Sequence, residues 1–523
     1  MKGRFGTLIV VLLVVLGEVP AQVDSTALRY ASTITTADLM RHLGILASDA
    51  YEGREAGQRG QKMAAEYLRE QFQAFGIPEV PGGAERGITQ GYFQPFVLEV
   101  RRPGGIVVKV SGKPYRYLEG MFYFNERLEQ DLRVEQALVV CAPAGMRPDT
   151  VLRGRDLKGM ALLVVERAPT GTSPLSTMSA WTTAAEQAGA AVLFYATPTY
   201  GELRSTYQHH LSSARMRLAG DRDARGAKRP ERAGALQVIL AGPDLRDALL
   251  AGAGWTQARL VKRARKRPVT VPFAPDLVLS ATPLRSELIS ENVLAYVEGG
   301  DLKDELVVVT AHYDHIGKDG SEVYNGADDD GSGTVALLEM AEAFARAKAD
   351  GQGPRRSVLF MPVSAEEKGL LGSQYYSEHP VFPLDRTVAD LNIDMIGRRD
   401  SAHATSAPYV YVIGSDRMST ELHALNEQAN RTYTGLELDY TFNAPDDPNK
   451  YYYRSDHYNF TRNGVPAIFY FSGVHEDYHG PGDEVDKILP DLLEQRTRLV
   501  FHTAWLLANR PERIVVDRPE GGK

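Results

Sequence analysis

The sequence predicts an α/β fold with a mostly parallel central sheet flanked by helices, and a smaller, β-rich α/β domain inserted into it. First, from residue 287 onward short β-branched runs alternate with helical segments, which favours parallel strands with helices on both faces of a sheet. Second, Leu306–Thr310 is apolar, β-branched and too short for a helix, so it predicts a buried strand. Third, the pattern changes character between residues 120 and 270, which predicts a separate domain.

The N-terminal part of the chain predicts two helices followed by short strands. Thr36 and Asp38 can cap a helix through Leu46, and residues 61–75 form a strongly amphipathic helical segment. The polar, Gly-punctuated stretch between the two helices predicts a loop. The alternating pattern of residues 92–118 predicts short strands.

The inserted region predicts further strands and one helix. Strand-like runs occupy residues 136–142, 160–165 and 190–196, and residues 180–189 predict a helix.

The C-terminal half contains the most regular alternation of elements. Strands are predicted at 291–299, 306–312, 357–365, 390–394, 408–414 and 465–473, and helices at 334–348, 418–430 and 487–508.

The first 21 residues predict a secretory signal peptide. Lys2 and Arg4 precede an apolar run, and Val19-Pro20-Ala21 supplies a small-residue cleavage site after Ala21. The apolar run is too short for a membrane span, so we expect an exported, periplasmic or extracellular protein without stable membrane insertion. Cleavage after Ala21 removes Lys2, Arg4 and Glu18, which takes the net charge from −8 to −9.

The acidic charge argues against nucleic acid as a partner. Residues 203–233 and 258–267 are Arg-rich and could be read as a polyanion-binding patch. Acidic residues interrupt the first stretch, and the chain as a whole is acidic, so solvated loops are the better interpretation. Cys141 is the only cysteine, which excludes an intrachain disulfide, and its apolar strand predicts a buried structural thiol.

The length of 523 residues exceeds that of one ordinary core and predicts more than one domain. The predicted parts are the signal peptide (1–21), the N-terminal part of the main domain (22–119), the inserted domain (120–270), the rest of the main domain (271–512) and a C-terminal tail (513–523).

Side chains able to bind metal lie directly after four predicted strands and within one loop. They are His312 and Asp314, Glu366 and Glu367, Asp394, and His479 after the strands, with Asp329 in a Gly-rich loop. Each alone has an ordinary explanation, since loops after strands are polar. Their repetition at successive strand ends predicts one site, because ligands bind at the carboxyl ends of strands in open α/β sheets.

This mixture of imidazoles and carboxylates suits two divalent metal ions, with zinc favoured. Two ions about 3.5–4 Å apart need a bridging carboxylate, further carboxylate and imidazole ligands, and open positions for water. A carboxylate that is not a ligand can act as the general base, and another can fix the tautomer of a ligating histidine.

Five segments in this order resemble the M28 family of zinc metallopeptidases: AHYDH, GADDDGSG, SAEEKGLLGS, NIDMIG and YHGPGDEVD. The resemblance covers residues 290–510 well and residues 36–100 loosely. Residues 120–270 are similar to a protease-associated (PA) domain, through Asp156-Leu157-Lys158-Gly159 and AAEQAGAAVLFY.

Carried over by position, the resemblance implies a role for each residue of the predicted site. His312 and Asp394 would hold one zinc, Glu367 and His479 the other, and Asp329 would bridge them. Glu366 would be the general base, Asp314 would orient His312, and Tyr478 would stabilise the carbonyl oxygen of the tetrahedral intermediate. The family also implies a cis peptide between Asp329 and Asp330.

The function implied is that of an exported di-zinc exopeptidase acting on peptides, with an aminopeptidase favoured. A carboxypeptidase or dipeptidase of the same family, a single-zinc acyltransferase of the glutaminyl-cyclase type, and a non-catalytic receptor on a peptidase scaffold are the alternatives. Metal content would separate the last two from the leading hypothesis, since they would bind one zinc and none. His315, His457 and His475 are interpreted as loop histidines near the site.

Overall fold

A computed structural model describes residues 23–167, 173–220 and 236–518. The predicted signal peptide lies outside these ranges. Within them, no helix is both long enough and apolar enough to cross a membrane. The chain divides into two compact units: the first comprises Met1–Phe96 and Ser290–Lys523, and the second comprises Val97–Ile289.

Helices occur in both units. In chain order they are α1 (Ser25–Ala31), α2 (Thr36–Leu46), α3 (Arg59–Ala74), α4 (Pro148–Leu152), α5 (Pro174–Gln187), α6 (Tyr200–Thr206), α7 (Gln208–Ser212), α8 (Pro243–Gly252), α9 (Gln257–Arg263), α10 (Gly333–Ala349), α11 (Leu371–Glu378), α12 (Thr420–Ala429), α13 (His457–Thr461) and α14 (Pro490–Asn509).

Strands also occur in both units. In chain order they are β1 (Phe93–Arg102), β2 (Ile106–Val110), β3 (Lys113–Tyr115), β4 (Met121–Phe122), β5 (Leu132–Val134), β6 (Ala137–Cys141), β7 (Ala161–Val165), β8 (Val192–Ala196), β9 (Arg215–Leu218), β10 (Gln237–Ala241), β11 (Val269–Phe273), β12 (Leu277–Ala281), β13 (Leu284–Val293), β14 (Ala295–Val297), β15 (Leu302–His312), β16 (Gly317–Asp319), β17 (Glu322–Tyr324), β18 (Arg356–Val363), β19 (Thr387–Ile393), β20 (Tyr409–Ile413), β21 (Glu437–Asp439) and β22 (Ala467–Phe471).

The first unit is built around a seven-stranded sheet in the order β14-β18-β15-β19-β22-β20-β21. The four central strands β18, β15, β19 and β22 run parallel, as do β20 and β21, while β14 pairs antiparallel with β18 and β20 with β22. The mostly parallel central sheet expected from the sequence is therefore confirmed. Every residue of β18 and β19 is buried, as a sheet covered on both faces requires.

The helices of this unit begin close to their predicted positions, with small differences that have local causes. Helix α2 is capped by Thr35 rather than Thr36, because the Thr35 hydroxyl accepts a hydrogen bond from the Asp38 backbone N–H at 3.1 Å. Helix α10 is buried on nearly all sides, since it packs in the main apolar core with α14 and the sheet.

The second unit contains a six-stranded sheet in the order β11-β6-β7-β8-β10-β4. Strands β6, β7, β8 and β10 are parallel, and the edge strands β11 and β4 are antiparallel to their neighbours. Helix α5 begins at Pro174, six residues before the predicted 180–189 segment, because proline is favoured in the first turn of a helix. Cys141 is buried in this unit, as predicted, and burial raises the pKa of its thiol to about 11.

The second unit also contains a small antiparallel sheet in the order β3-β2-β12-β5. Its strands β2 and β12 pair with each other, so residues 106–110 and 277–281 belong to the same unit as the predicted insert. The segment 120–270 lies entirely inside Val97–Ile289. Its limits and its likeness to a PA domain stay predictions.

Candidate metal centre

The predicted site residues meet where the central strands of the first unit end. Strands β18, β15, β19 and β22 are neighbours, and in the pairing register His312 lies opposite Val363. Glu366 follows β18 by three residues, and Asp394 follows β19 directly. Because the carboxyl ends of parallel strands share one edge of a sheet, residues distant in sequence become neighbours there.

One group of possible metal ligands consists of His312, Asp329 and Asp394. The Nε2 atom of His312 lies 3.3 Å from Oδ1 of Asp329 and 3.7 Å from Oδ1 of Asp394. The other carboxylate oxygen of Asp394 accepts a hydrogen bond from the Ser455 hydroxyl at 2.7 Å. The three side chains are buried, so their charges interact in a medium of low dielectric constant.

A second group forms on the other side of Asp329. The Nε2 atom of His479 lies 3.2 Å from Oδ2 of Asp329 and 3.2 Å from Oε2 of Glu367. Burial lowers the pKa of His479, but the two carboxylates outweigh burial and raise it to about 10. Asp329 therefore has one oxygen facing His312 and the other facing His479, as a bridging carboxylate would.

His315 also belongs to this second group, which sequence reasoning missed. Its Nδ1 atom lies 2.8 Å from Oε1 of Glu367 and 4.0 Å from Oδ2 of Asp329, and the ring is fully buried. His315, Asp329 and Glu367 are close enough to hold a metal ion together. The sequence carries a signal, since His315 directly follows Asp314, but nothing in one chain shows that the loop turns this ring inward.

The donor set fits divalent metal ions, and one observation supports the fit. Oδ2 of Asp329 and Oε1 of Glu367 are buried oxygens without a hydrogen-bond partner among the described residues, although imidazole nitrogens lie near both. Buried carboxylate oxygens usually have partners, because their desolvation is costly. A metal site has this arrangement, in which carboxylate oxygens and imidazole nitrogens converge without forming hydrogen bonds with one another.

Glu366 lies beside the two groups. Its Oε2 atom is 4.0 Å from Nε2 of His312, and its backbone N–H donates a hydrogen bond to Oδ1 of Asp314 at 3.1 Å. Burial raises the pKa of the Glu366 carboxyl well above its ordinary value, and the neighbouring carboxylates Glu367 and Asp394 add to this while His312 opposes it. A carboxylate of raised basicity at such a position can accept a proton from water.

The resemblance implies that Asp314 orients His312, and the structure shows that the closer contact is made by the main chain of Asp314 and not by its carboxylate. The Nδ1 atom of His312 lies 3.1 Å from the backbone carbonyl oxygen of Asp314 and 3.9 Å from its carboxylate. The carbonyl is thus the nearer acceptor for the ring. Burial raises the pKa of the Asp314 carboxyl to about 6, and the positive charge of His312 opposes this rise.

Tyr478 lines a recess together with His312, Asp329, Glu366, Asp394 and His479. Its ring stacks on His479 with centroids 3.9 Å apart, and its hydroxyl accepts a hydrogen bond from Arg454 at 3.1 Å. Burial raises the pKa of this phenol, so it stays protonated and can donate to an oxyanion. Site residues and Arg454 form one half of the recess lining, and apolar or aromatic side chains form the other half, namely Met395, Tyr451, Phe469, Phe471, Val474 and Tyr478.

The backbone around the site adopts several uncommon conformations. Ala365, Met395 and His479 have φ angles of 62°, 57° and 56°, in the left-handed region that residues other than glycine rarely adopt. The peptide between Asp329 and Asp330 is cis, as the resemblance implied. Left-handed residues next to the site residues Glu366 and Asp394 indicate that the tertiary structure fixes how these side chains are directed.

The other two histidines considered near the site are buried as well. The Nε2 atom of His475 lies 3.4 Å from Oδ2 of Asp328, and its Nδ1 atom lies 3.0 Å from the guanidinium group of Arg398. His457 stacks against Phe469, and burial lowers the pKa of its ring to about 3. Both histidines are therefore buried in the first unit and are not exposed on a surface loop.

Comparison with known proteins identifies the segment that carries the site. Residues 292–504 match the family model described as peptidase family M28. The aminopeptidase YwaD of Bacillus subtilis is 29% identical over 219 residues, which are 40% of this chain and 43% of that protein. A probable leucine aminopeptidase of Arthroderma otae is 31% identical over 212 residues, 39% of this chain and 55% of that protein. The chain thus spans about half the length of the curated relatives it matches.

Solved structures share the fold over nearly the whole chain. An aminopeptidase from Aneurinibacillus sp. strain AM-1 superposes with a TM-score of 0.54 and 20% identity, covering 94% of this chain and 98% of that one. BSAP, a zinc aminopeptidase from Bacillus subtilis, gives a TM-score of 0.50 and 18% identity, covering 92% and 98%.

Proposed function

We propose that this chain, whose residues 292–504 match the family model of peptidase family M28, is an exported di-zinc aminopeptidase that releases N-terminal residues from peptides. The observation that carries the proposal is the position of Asp329. One of its oxygens lies 3.3 Å from His312 and the other 3.2 Å from His479, with Asp394 and Glu367 beside the respective imidazoles. The curated aminopeptidases similar in sequence support the choice of reaction, and BSAP, named a zinc aminopeptidase, supports the choice of metal.

In the proposed assignment His312, Asp394 and Asp329 hold one zinc, and Glu367, His479 and Asp329 hold the other. Zinc bound there would acidify a water molecule and polarise the scissile carbonyl. Glu366 accepts the proton of the attacking water and donates it to the leaving amine. Tyr478 donates a hydrogen bond to the oxygen that becomes negatively charged.

The recess beside these residues favours an apolar side chain at the substrate N-terminus. Phe469, Phe471, Met395 and Val474 offer apolar surface, and burial of an apolar side chain against them stabilises the complex by about 25 cal/mol per Å². We therefore propose that peptides beginning with an apolar residue are preferred. On sequence grounds alone, residues 120–270 are proposed to be a PA-like domain.

A panel of aminoacyl-p-nitroanilides and N-blocked dipeptides, assayed with zinc and with a chelator, tests the proposal. We expect hydrolysis of the free-amine substrates only, loss of activity with the chelator, and recovery with zinc. Two zinc ions per chain are expected by elemental analysis. Cleavage of the blocked substrates alone would indicate a carboxypeptidase instead, and a chain that binds no zinc and cleaves neither set would contradict the proposal.

A further inference from the structure

Arg54 is a fully buried cation outside the segment that matches the family model. It ends a short turn between α2 and α3, and only 1% of its surface is exposed. An arginine cannot lose its charge by deprotonation in a protein, so a buried guanidinium must be compensated by hydrogen bonds or by opposite charge.

The guanidinium group donates four hydrogen bonds, and every acceptor is a backbone carbonyl oxygen. Nε donates to Tyr313 at 2.8 Å, Nη1 to Leu46 at 2.8 Å and to Asn325 at 2.7 Å, and Nη2 to Gly326 at 2.9 Å. One rigid planar group thus bonds three separate stretches of chain.

Two of these stretches carry the proposed metal ligands. Tyr313 stands between His312 and Asp314, and Gly326 precedes Asp329 by three residues. Arg54 thus bonds the loop that follows His312 and the loop that precedes Asp329 at the same time. His312 Nε2 and Asp329 Oδ1, one on each loop, are 3.3 Å apart.

The backbone around Arg54 contacts the same loops. The carbonyl oxygen of Arg54 accepts a hydrogen bond from the N–H of His315 at 3.2 Å, and the His315 ring reaches Glu367. Gly53 lies so close to the carbonyl oxygen of Gly317 that an added Cβ atom would be 2.3 Å from it. The turn is therefore packed directly against the loop that follows β15.

We propose that Arg54 is a positioning residue of the metal centre, which holds the loop of His312 and the loop of Asp329 at the separation that zinc binding requires. This inference rests on the proposed function for the identity of the metal. A lysine would keep the charge but not the planar fork, so it could not bond carbonyls on three stretches at once. Groups that hold metal ligands in place contribute about 10–100-fold to metal affinity.

Arg356 offers a matched control in the same unit. It is also 1% exposed, and it donates to the backbone carbonyls of Leu507, Arg510 and Pro511, while its Nε donates to the carboxylate of Glu305. It stands at the first residue of β18, at the opposite end of that strand from Glu366. Arg356→Lys therefore removes a comparable buried fork without touching the metal loops.

The test measures zinc affinity by competition with a chromogenic chelator for the wild-type chain, Arg54→Lys and Arg356→Lys, together with the Tm of each metal-free protein. We expect both variants to lower Tm, but only Arg54→Lys to weaken zinc binding, by about 10–100-fold. Equal zinc affinities in the two variants would overturn the inference. A wild-type chain that binds no zinc would instead overturn the proposed function, so the two failures are distinguishable.

A measurement on the unaltered chain covers the case in which Arg54→Lys does not fold. If Arg54 couples to the metal loops, zinc must slow hydrogen exchange in residues 50–58 as well as in 326–333, because coupling between two sites is reciprocal. Residues 50–58 contain none of the proposed ligands. Slower exchange in 326–333 with unchanged exchange in 50–58 would overturn the inference.

Discussion

The carboxylate of Asp314 accepts a hydrogen bond at 3.1 Å from the backbone N–H of Glu366, which joins the loops that follow the neighbouring strands β15 and β18. His312, two residues before Asp314, is instead 3.1 Å from the Asp314 backbone carbonyl. Asp314 thus contacts a proposed ligand through its main chain and the proposed base through its side chain. One residue couples the placement of both.

Replacing Asp314 separates the two contacts. We expect Asp314→Ala to lower kcat by on the order of 10–100-fold with a small change in KM, because the loop of Glu366 loses its acceptor. Asp314→Asn retains an oxygen acceptor and should lose less. Steady-state kinetics and zinc analysis check this, and equal losses in both variants would show that the charge matters rather than the hydrogen bond.

Replacing Glu366 by Gln should abolish turnover and leave zinc bound. The amide cannot accept the proton of water, and loss of a general base costs about 10²–10⁴-fold in rate. Zinc content should equal that of the wild-type chain, since Glu366 is not among the proposed ligands. A variant that kept most of its activity would show that Glu366 is not the base.

Replacing Ser455 by Ala should weaken zinc binding through Asp394. The Ser455 hydroxyl is 2.7 Å from Oδ2 of Asp394, and loss of such a support typically costs at least about 10-fold in metal affinity. Ser419→Ala is the matched control, because Ser419 caps α12 by accepting from Leu422 N–H. That control should lower stability by about 1 kcal/mol without changing zinc affinity.

His502 should make the stability of the first unit depend on pH in mildly acidic solution. Burial lowers the pKa of its ring to about 4, with Arg498 acting in the same direction and Asp24 against it, and the ring stacks on Tyr433. The unfolded chain binds the proton near pH 6.5, so stability is full above that pH and decreases as the pH falls towards 4.

Chemical denaturation of the wild-type chain and His502→Gln between pH 7 and pH 4 measures this effect. The variant should lose less stability on acidification, by roughly 3 kcal/mol, because glutamine does not titrate. Parallel pH profiles for the two proteins would exclude His502 as the source.

Local sequence pattern accounts for most of the first unit. The run Leu306–Thr310 is apolar and β-branched and lies within β15, and the predicted helix at 334–348 is α10 with one residue added at each end. The order of the motifs also indicated which strand ends would meet. These features follow from short-range periodicity, which a single chain displays directly.

The sequence by itself determined the parallel sheet, the family resemblance and the side chains that lie at the edge of that sheet, because short contiguous segments of the chain carry each of these features. Only the tertiary structure decided that His315 turns inward to Glu367 and that Arg54 bonds the carbonyls of Tyr313 and Gly326. Arg54 and Tyr313 are 259 positions apart, and their contact depends on how α2, α3 and the sheet pack. Such contacts arise from burial and backbone geometry across the whole unit, and no local pattern specifies them.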